Sequence, residues 1–401
     1  MPQLIVAVSI PLVTLLYDPT VLGTFLIFDA YCDIFAFGAT LALDKALYVT
    51  RSPRGSRDLI RATLISITLV SLLAGGFFGA GIWMEITTEG LTQPWLIVPV
   101  VLLVWARGAY YLFQSLSIRA SRFGAVVVAE STRAAALVIG RIVLGLLGYG
   151  LAGLVVTSIA GAWISVSALI QGARIEGRLQ WRTVTVATYR RSVARHRERI
   201  LFEGGGQFLR QLPIRGPVFA ITIYFAAAGA GLYSIAFLLC YRPAELIVRS
   251  VTEVFRTSMA ESIRADQYEV ARVLGEDLLR RTILSAAGAS VLMGGAIFLA
   301  EDILFSAEWS GVGSVALANA IYVAGLLMLR PIQIIYSLYG RDRLSLLLEG
   351  GAVVACFGGI FLGGAMGVSL EIVCVLSGLV MVFVAVPLAL AALRVLRMAC
   401  A

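Results

Sequence analysis

Residues 370–393 read LEIVCVLSGLVMVFVAVPLALAAL, and Glu371 is the only charged residue among them. A helix needs about 20 consecutive apolar residues to cross a lipid bilayer, so this segment predicts a membrane-spanning helix. The whole chain has a similar character, because 59% of its 401 residues are hydrophobic and only 14% are charged. Soluble globular proteins carry about 25% charged residues. We conclude that the surface of this protein faces lipid.

Eleven further apolar segments precede this one, each bounded by polar residues or by glycine and proline. Together the predicted spans are 2–16, 24–48, 59–84, 95–117, 125–147, 150–172, 205–224, 232–256, 282–300, 313–339, 346–366 and 370–393. The sequence therefore predicts an all-α membrane protein with about twelve transmembrane helices. Because no basic residue precedes the first apolar run, we do not expect a cleaved signal peptide.

The charges of the connecting loops test this count independently. Arginines are concentrated in the loops that follow even-numbered spans, whereas the loops that follow odd-numbered spans contain no Arg or Lys. The six loops without basic residues are 17–23, 85–94, 148–149, 225–231, 301–312 and 367–369. Basic loops stay in the cytoplasm, so this alternation predicts twelve spans with both termini cytoplasmic.

The longest loop lies at the midpoint of the chain and carries eight arginines between Arg174 and Arg199. It divides the chain into an N-terminal six-helix lobe, 1–172, a basic cytoplasmic linker, 173–204, and a C-terminal six-helix lobe, 205–401. The linker either lies on an anionic membrane surface or simply connects the lobes.

Short motifs recur in the same order in the two halves. Leu22-Gly23-Thr24-Phe25 opens the second span, and Ala230-Gly231-Leu232-Tyr233 opens the eighth. Six helices per half give both halves the same orientation, which indicates a parallel repeat about an axis along the membrane normal. Two six-helix lobes around a central cavity, as in alternating-access transporters, is the predicted architecture.

Several chemistries are disfavoured by what the sequence contains. Its five cysteines are scattered without a CxxC motif, and its only histidine, His196, lies in the basic linker. We therefore predict no metal site, no cofactor and no Ser-His catalysis. The net charge of +8 is explained by arginine in cytoplasmic loops, so we do not expect a nucleic-acid partner.

Four motifs carry a resemblance to a known family. They are Leu16-Tyr17-Asp18-Pro19-Thr20-Val21-Leu22-Gly23-Thr24-Phe25, Ala42-Leu43-Asp44-Lys45-Ala46-Leu47-Tyr48, Ala230-Gly231-Leu232-Tyr233 and Ser306-Ala307-Glu308-Trp309. In their order and spacing the chain resembles the polysaccharide biosynthesis, or oligosaccharide flippase, family of the multidrug/oligosaccharidyl-lipid/polysaccharide exporter superfamily. It departs from the family at Asp44-Lys45, where an arginine before an acid is more usual.

This resemblance implies an O-antigen flippase-like protein of the bacterial inner membrane. The implied cargo is an undecaprenyl-diphosphate-linked oligosaccharide for O-antigen, capsule or exopolysaccharide. The implied partners are membrane lipids, glycosyltransferases and a polysaccharide polymerase. Such a protein catalyses movement and is not an enzyme.

Charged residues inside the predicted spans are the candidate site residues. A charge at the centre of a membrane helix costs about 2.5–3.5 kcal/mol, so it usually faces protein or water. Arginine binds phosphate bidentately and keeps its charge. The candidate diphosphate-binding residues are Arg210, Arg215 and Arg242 first, and then Arg107 and Arg141.

Asp29 and Asp33 are candidates for proton or sodium coupling, and the alternative for them is a salt bridge to an arginine of a neighbouring helix. Ion pairing within one helix and snorkelling to the cytoplasmic face are the alternatives for the arginines. We interpret aromatic pairs such as Tyr110 and Tyr111 as interfacial belts.

Two other functions remain open from the sequence. One is a cation-coupled exporter of small molecules from the same superfamily. The other is an intramembrane enzyme such as a polysaccharide polymerase, which the short outer loops disfavour.

Overall fold

A computed structural model describes residues 2–50, 52–85, 89–172, 186–197 and 200–398. Regular structure within these ranges is entirely helical, with no strand. Lipid offers no hydrogen-bond partner to the backbone, so each spanning segment must satisfy its own N–H and C=O groups, and a helix does this. The chain forms two compact units, Met1–Gln211 and Leu212–Ala401.

The first unit is built around one central helix. Its helices are α1 (Pro2–Leu16), α2 (Pro19–Ala39), α3 (Leu43–Val49), α4 (Pro53–Trp83), α5 (Ile97–Arg119), α6 (Phe123–Leu146), α7 (Gly150–Gly172) and α8 (Val186–Arg195). Helix α5 packs against α2, α4 and α7. Leu103 and Leu112 of α5 are fully buried. The predicted linker 173–204 is described only in part, because 173–185 and 198–199 lie outside the described residues.

The second unit also has a central helix. Its helices are α9 (Gly205–Arg215), which begins before the unit boundary, α10 (Pro217–Arg264), α11 (Tyr268–Leu299), α12 (Glu301–Leu304), α13 (Val312–Leu338), α14 (Asp342–Ala365) and α15 (Leu370–Met398). Helix α13 packs against α10, α11 and α15. Trp309 and Tyr322 are among the largest fully buried side chains.

Helix α10 contains a sharp bend. Its backbone is non-helical at Ala226, where φ is 53° and ψ is −172°. The Tyr322 hydroxyl bonds to the Pro213 carbonyl at 2.6 Å, and the Tyr322 ring lies 6.1 Å from that of Phe237. In one straight helix Pro213 and Phe237 would be about 36 Å apart. The chain therefore folds back within the predicted loop 225–231.

This bend brings the number of helical segments in the described residues into agreement with the predicted twelve. Ten helical spans in the described residues are long and apolar enough to cross a membrane, and one of them, Ile200–Arg264, contains the bend. Counting that span as two and adding the 15-residue α1 gives twelve. The prediction of an all-α, multi-pass membrane protein is confirmed.

The second predicted span, 24–48, differs from the structure at its start and in its interior. Its helix begins earlier, at Pro19, because the Asp18 side chain accepts a hydrogen bond from the Val21 N–H and proline suits the first helical position. Its predicted continuity to residue 48 is wrong. Leu41 (φ 50°) and Ala42 (φ 53°) adopt left-handed backbone conformations, which interrupt the helix between α2 and α3.

Helices α10 and α11 extend beyond the predicted spans, by eight residues at the end of α10 and by fourteen at the start of α11. The α11 extension is rich in charge pairs one helical turn apart, which stabilise exposed helices. Three such pairs are Glu269–Arg272, Arg272–Glu276 and Asp277–Arg281. The hydrophobic pattern identified the part of each helix that faces lipid and missed the polar continuation.

Candidate functional site

Arg107 forms the best-defined ion cluster of the first unit. Its guanidinium on α5 contacts Asp29 Oδ1 and Asp33 Oδ1 of α2, each at 2.5 Å. The two aspartates are one turn apart, so both point toward the same neighbouring helix. The three side chains are only 10–15% exposed. The cluster holds one cation and two anions, so its formal charge is −1.

This cluster changes how two sets of candidates are interpreted. For Asp29 and Asp33 the structure shows the salt-bridge alternative, with Arg107 as the partner. For Arg107 it shows a guanidinium already occupied by carboxylates, which disfavours direct contact with a diphosphate. Ion coupling by the two aspartates stays a prediction.

Arg141 on α6 has a different environment. Its guanidinium lies over the Phe25 ring, 5.2 Å from the ring centroid. Within the described part of the chain its Nε is buried without a hydrogen-bond partner. Asp29 and Arg107 are close enough to act on it electrostatically, but no carboxylate of the described residues forms an ion pair with it. Arg141 therefore has unused hydrogen-bonding capacity inside the first unit.

The backbone around Arg141 is fixed by a side chain from another part of the unit. The Tyr17 hydroxyl donates a 2.9 Å hydrogen bond to the Arg141 carbonyl. Tyr17 is itself 4% exposed, and it directly follows α1 in the short link to α2. This bond helps to hold α6 at the position where the Arg141 side chain meets Phe25.

A second cluster of polar side chains in the first unit surrounds Tyr110. Its hydroxyl donates to Glu130 Oε1 and accepts a 3.0 Å hydrogen bond from Gln114. The Arg133 guanidinium lies 5.8 Å from the centroid of the Tyr110 ring. Tyr110 is only 5% exposed, so interpreting it as part of an interfacial belt was wrong. Its position one turn after Arg107 was the available signal that it faces the interior.

In the second unit two arginines share one carboxylate. Arg330 on α13 contacts Glu245 Oε1 on α10, and Arg242 lies 3.4 Å from Glu245 Oε2. The Tyr241 hydroxyl accepts a 3.1 Å hydrogen bond from Arg330. The three ionised groups have a formal charge of +1. Arg330 was not among the predicted binding residues, although its charge within an apolar span was visible.

Arg210 and Arg215 both lie on α9, beside its internal proline. Arg210 is exposed and Arg215 is half-buried. Pro213 lies between them, and Pro217 begins α10. The structure thus separates the five candidate arginines into different settings: Arg107 and Arg242 contact carboxylates, Arg141 lies against an aromatic ring, and Arg210 and Arg215 flank a proline.

No family model matches the chain, and no curated protein matches it in sequence.

Solved structures of MOP superfamily transporters have a similar fold. The inward-facing conformation of a multidrug resistance MATE family transporter of that superfamily aligns over 100% of this chain and 95% of its own, with a TM-score of 0.74 and 11% identity.

Two further solved structures also align with this chain over most of its length. The lipid II flippase MurJ, in an inward closed conformation, aligns over 97% of this chain and 85% of its own, with a TM-score of 0.75 and 13% identity. A MOP superfamily transporter from Pyrococcus furiosus aligns over 100% and 95%, with a TM-score of 0.63 and 12% identity. The chain has the fold of MOP superfamily transporters, and at this identity the comparison shows the fold alone.

Proposed function

We propose that this protein is a flippase of the bacterial inner membrane that carries undecaprenyl-diphosphate-linked oligosaccharide for O-antigen, capsule or exopolysaccharide assembly. It would act by alternating access, with both termini in the cytoplasm. The fold shared with a lipid II flippase supports this proposal, as do the four family-like motifs. Glycosyltransferases and a polysaccharide polymerase would act before and after it on the same lipid-linked sugar.

The single observation that carries the proposal is the environment of Arg141. Among the described residues it is an interior guanidinium that contacts an aromatic ring and has no ion-paired carboxylate. A diphosphate offers the oxygen acceptors that a guanidinium binds in pairs. Arg107 is less suited to this role, because its guanidinium already contacts the carboxylates of Asp29 and Asp33.

The second unit contributes an excess of positive charge. Glu245 neutralises only one of the two arginines that contact it, so the second can attract an anionic head group. Arg242 keeps its predicted role, with Arg330 added beside it. Arg210 and Arg215 stay predicted binding residues.

The test uses purified protein in proteoliposomes that contain a fluorescent isoprenoid-diphosphate oligosaccharide. Arg141→Gln should slow transbilayer movement by about tenfold or more, because a charged hydrogen bond contributes about 1.5–3 kcal/mol. Arg141→Lys should recover only part of the rate, since lysine lacks the planar fork of arginine. Arg256→Gln is the matched control, because Arg256 is 57% exposed at its side chain.

The proposal is wrong if Arg141→Gln moves the lipid-linked sugar as fast as the unchanged protein. A second candidate function is export of small molecules, which the fold shared with a MATE transporter favours. Vesicles that move cationic dyes but no isoprenoid-linked sugar would establish that alternative.

A further inference from the structure

Helix α8 has two distinct faces. Tyr189 and Val193 of α8 and His196 just after it follow one another at spacings of four and three, so they lie on one side of the helical segment. The Ile200 N–H bonds to the His196 carbonyl at 3.0 Å. All four are partly buried. The arginines are exposed and lie on the remaining surface. We define this surface, formed by Arg190, Arg191, Arg195 and Arg197, as the α8 arginine face.

The partly buried face of α8 is attached to the first unit. Tyr189 and Ile200 pack against a buried cluster formed by residues of α2, α3, α4 and α5, which includes Leu43, Leu47 and Leu59. This cluster lies at the ends of those helices that adjoin the basic loop between α3 and α4, which the charge pattern places in the cytoplasm. Helix α8 is therefore docked at that end of the unit.

The α8 arginine face carries four positive charges, and no described carboxylate lies in salt-bridge distance of them. Within the described residues none of the four arginines forms an ion pair, whereas Arg256, Arg272 and Arg281 on α10 and α11 each contact a carboxylate. Four exposed guanidiniums within two helical turns repel one another. An arrangement of this kind is stabilised when an anionic surface supplies the counter-charge.

We infer that the α8 arginine face binds the anionic phospholipid head groups of the cytoplasmic leaflet. The partly buried face fixes α8 to the membrane-embedded unit, and the long arginine side chains can reach the adjacent head-group layer. A basic residue near an anionic bilayer surface is attracted to it, and the attraction accumulates over a cluster. The ligand is bulk anionic lipid such as phosphatidylglycerol, which is distinct from the proposed cargo.

The test measures binding of phosphatidylglycerol to the full-length protein in neutral detergent by native mass spectrometry. The unchanged protein should bind phosphatidylglycerol in preference to phosphatidylcholine. In the variant R190Q/R191Q/R195Q/R197Q, affinity for phosphatidylglycerol should fall by about tenfold or more. Binding of phosphatidylcholine should not change.

Two further variants make the result specific. R256Q/R264Q/R280Q/R281Q removes the same number of charges from α10 and α11, and it should retain the preference. R190K/R191K/R195K/R197K keeps the charge and should bind phosphatidylglycerol like the unchanged protein, because attraction to a charged surface does not need the arginine fork. A thermal unfolding midpoint in lipid-free detergent confirms that each variant is folded.

Three results would each overturn the inference. The first is unchanged phosphatidylglycerol affinity in the glutamine variant. The second is an equal loss in the α10 and α11 control. The third is displacement of the lipid by glycerol phosphate at matched concentration, which would indicate a site for free phosphate. None of these depends on whether the protein moves a lipid-linked sugar.

Discussion

The hydroxyl of Tyr322 donates a 2.6 Å hydrogen bond to the backbone carbonyl of Pro213. In an α-helix that carbonyl would accept from the N–H four residues later, but residue 217 is proline and has no N–H. Tyr322 also lies 3.0 Å from Cys356 Sγ and is 1% exposed. A side chain from α13 thus satisfies a backbone carbonyl that Pro217 leaves without its helical partner.

Removal of this hydroxyl should destabilise the second unit. Tyr322→Phe would leave a buried carbonyl unsatisfied, which costs about 1–3 kcal/mol. We expect a lower thermal unfolding midpoint for the purified protein. Tyr149→Phe serves as the control, since Tyr149 is 59% exposed, and it should leave the midpoint unchanged.

Whether Tyr322→Phe destabilises the unit through the Pro213 carbonyl can be tested with Pro217→Ala. This substitution restores an N–H at position 217. In that background Tyr322→Phe should have a smaller effect, because the new N–H can bond to the Pro213 carbonyl. Equal effects of Tyr322→Phe in the two backgrounds would show that the hydroxyl acts in another way.

The Arg107 cluster should depend on all of its charges together. Arg107→Met leaves Asp29 and Asp33 buried without a cation, and loss of one partner from a buried pair costs about 3–5 kcal/mol. The triple variant R107M/D29N/D33N removes the three charges at once and should be more stable than R107M alone. Thermal unfolding in detergent compares the two, and a triple variant no more stable than R107M would contradict the role of charge pairing.

The shared carboxylate in the second unit predicts non-additive effects. Arg242→Gln or Arg330→Gln alone leaves Glu245 with one cation, so each should cost about 1 kcal/mol or less. The double variant leaves Glu245 unpaired at a side-chain exposure of 16%, and we expect a loss larger than the sum of the two by about 1–3 kcal/mol. A double-mutant cycle of unfolding free energies measures this term, and simple additivity would show that the two arginines act independently.

The orientation in the membrane can be tested with a single cysteine in each class of loop. The four cysteines in the described residues are buried, and Cys400 would be replaced by serine. Tyr149→Cys lies in a loop without basic residues and should react with a membrane-impermeant maleimide in intact cells. Arg122→Cys lies in a basic loop and should react only after the membrane is opened. The reverse pattern would show that the orientation predicted from the loop charges is inverted.

Much of the fold follows from local properties of the sequence. The predicted span 150–172 has the same bounds as α7, and the span predicted at 313–339 differs by one residue at each end from α13. These segments are recognisable because transfer into lipid depends on the composition of each segment by itself. The left-handed break at Leu41 and Ala42 was not predictable in this way, because neither glycine nor proline marks it.

The candidate site was predictable only as a set of residues. The sequence alone determined which arginines and aspartates lie within apolar spans, since that is a property of neighbours along the chain. Only the tertiary structure decided that Arg107 contacts Asp29, 78 residues away, and that Arg141 instead lies over Phe25. The physical reason is that ion pairing in the membrane depends on which helices adjoin and which faces they present, and packing of the whole unit sets both.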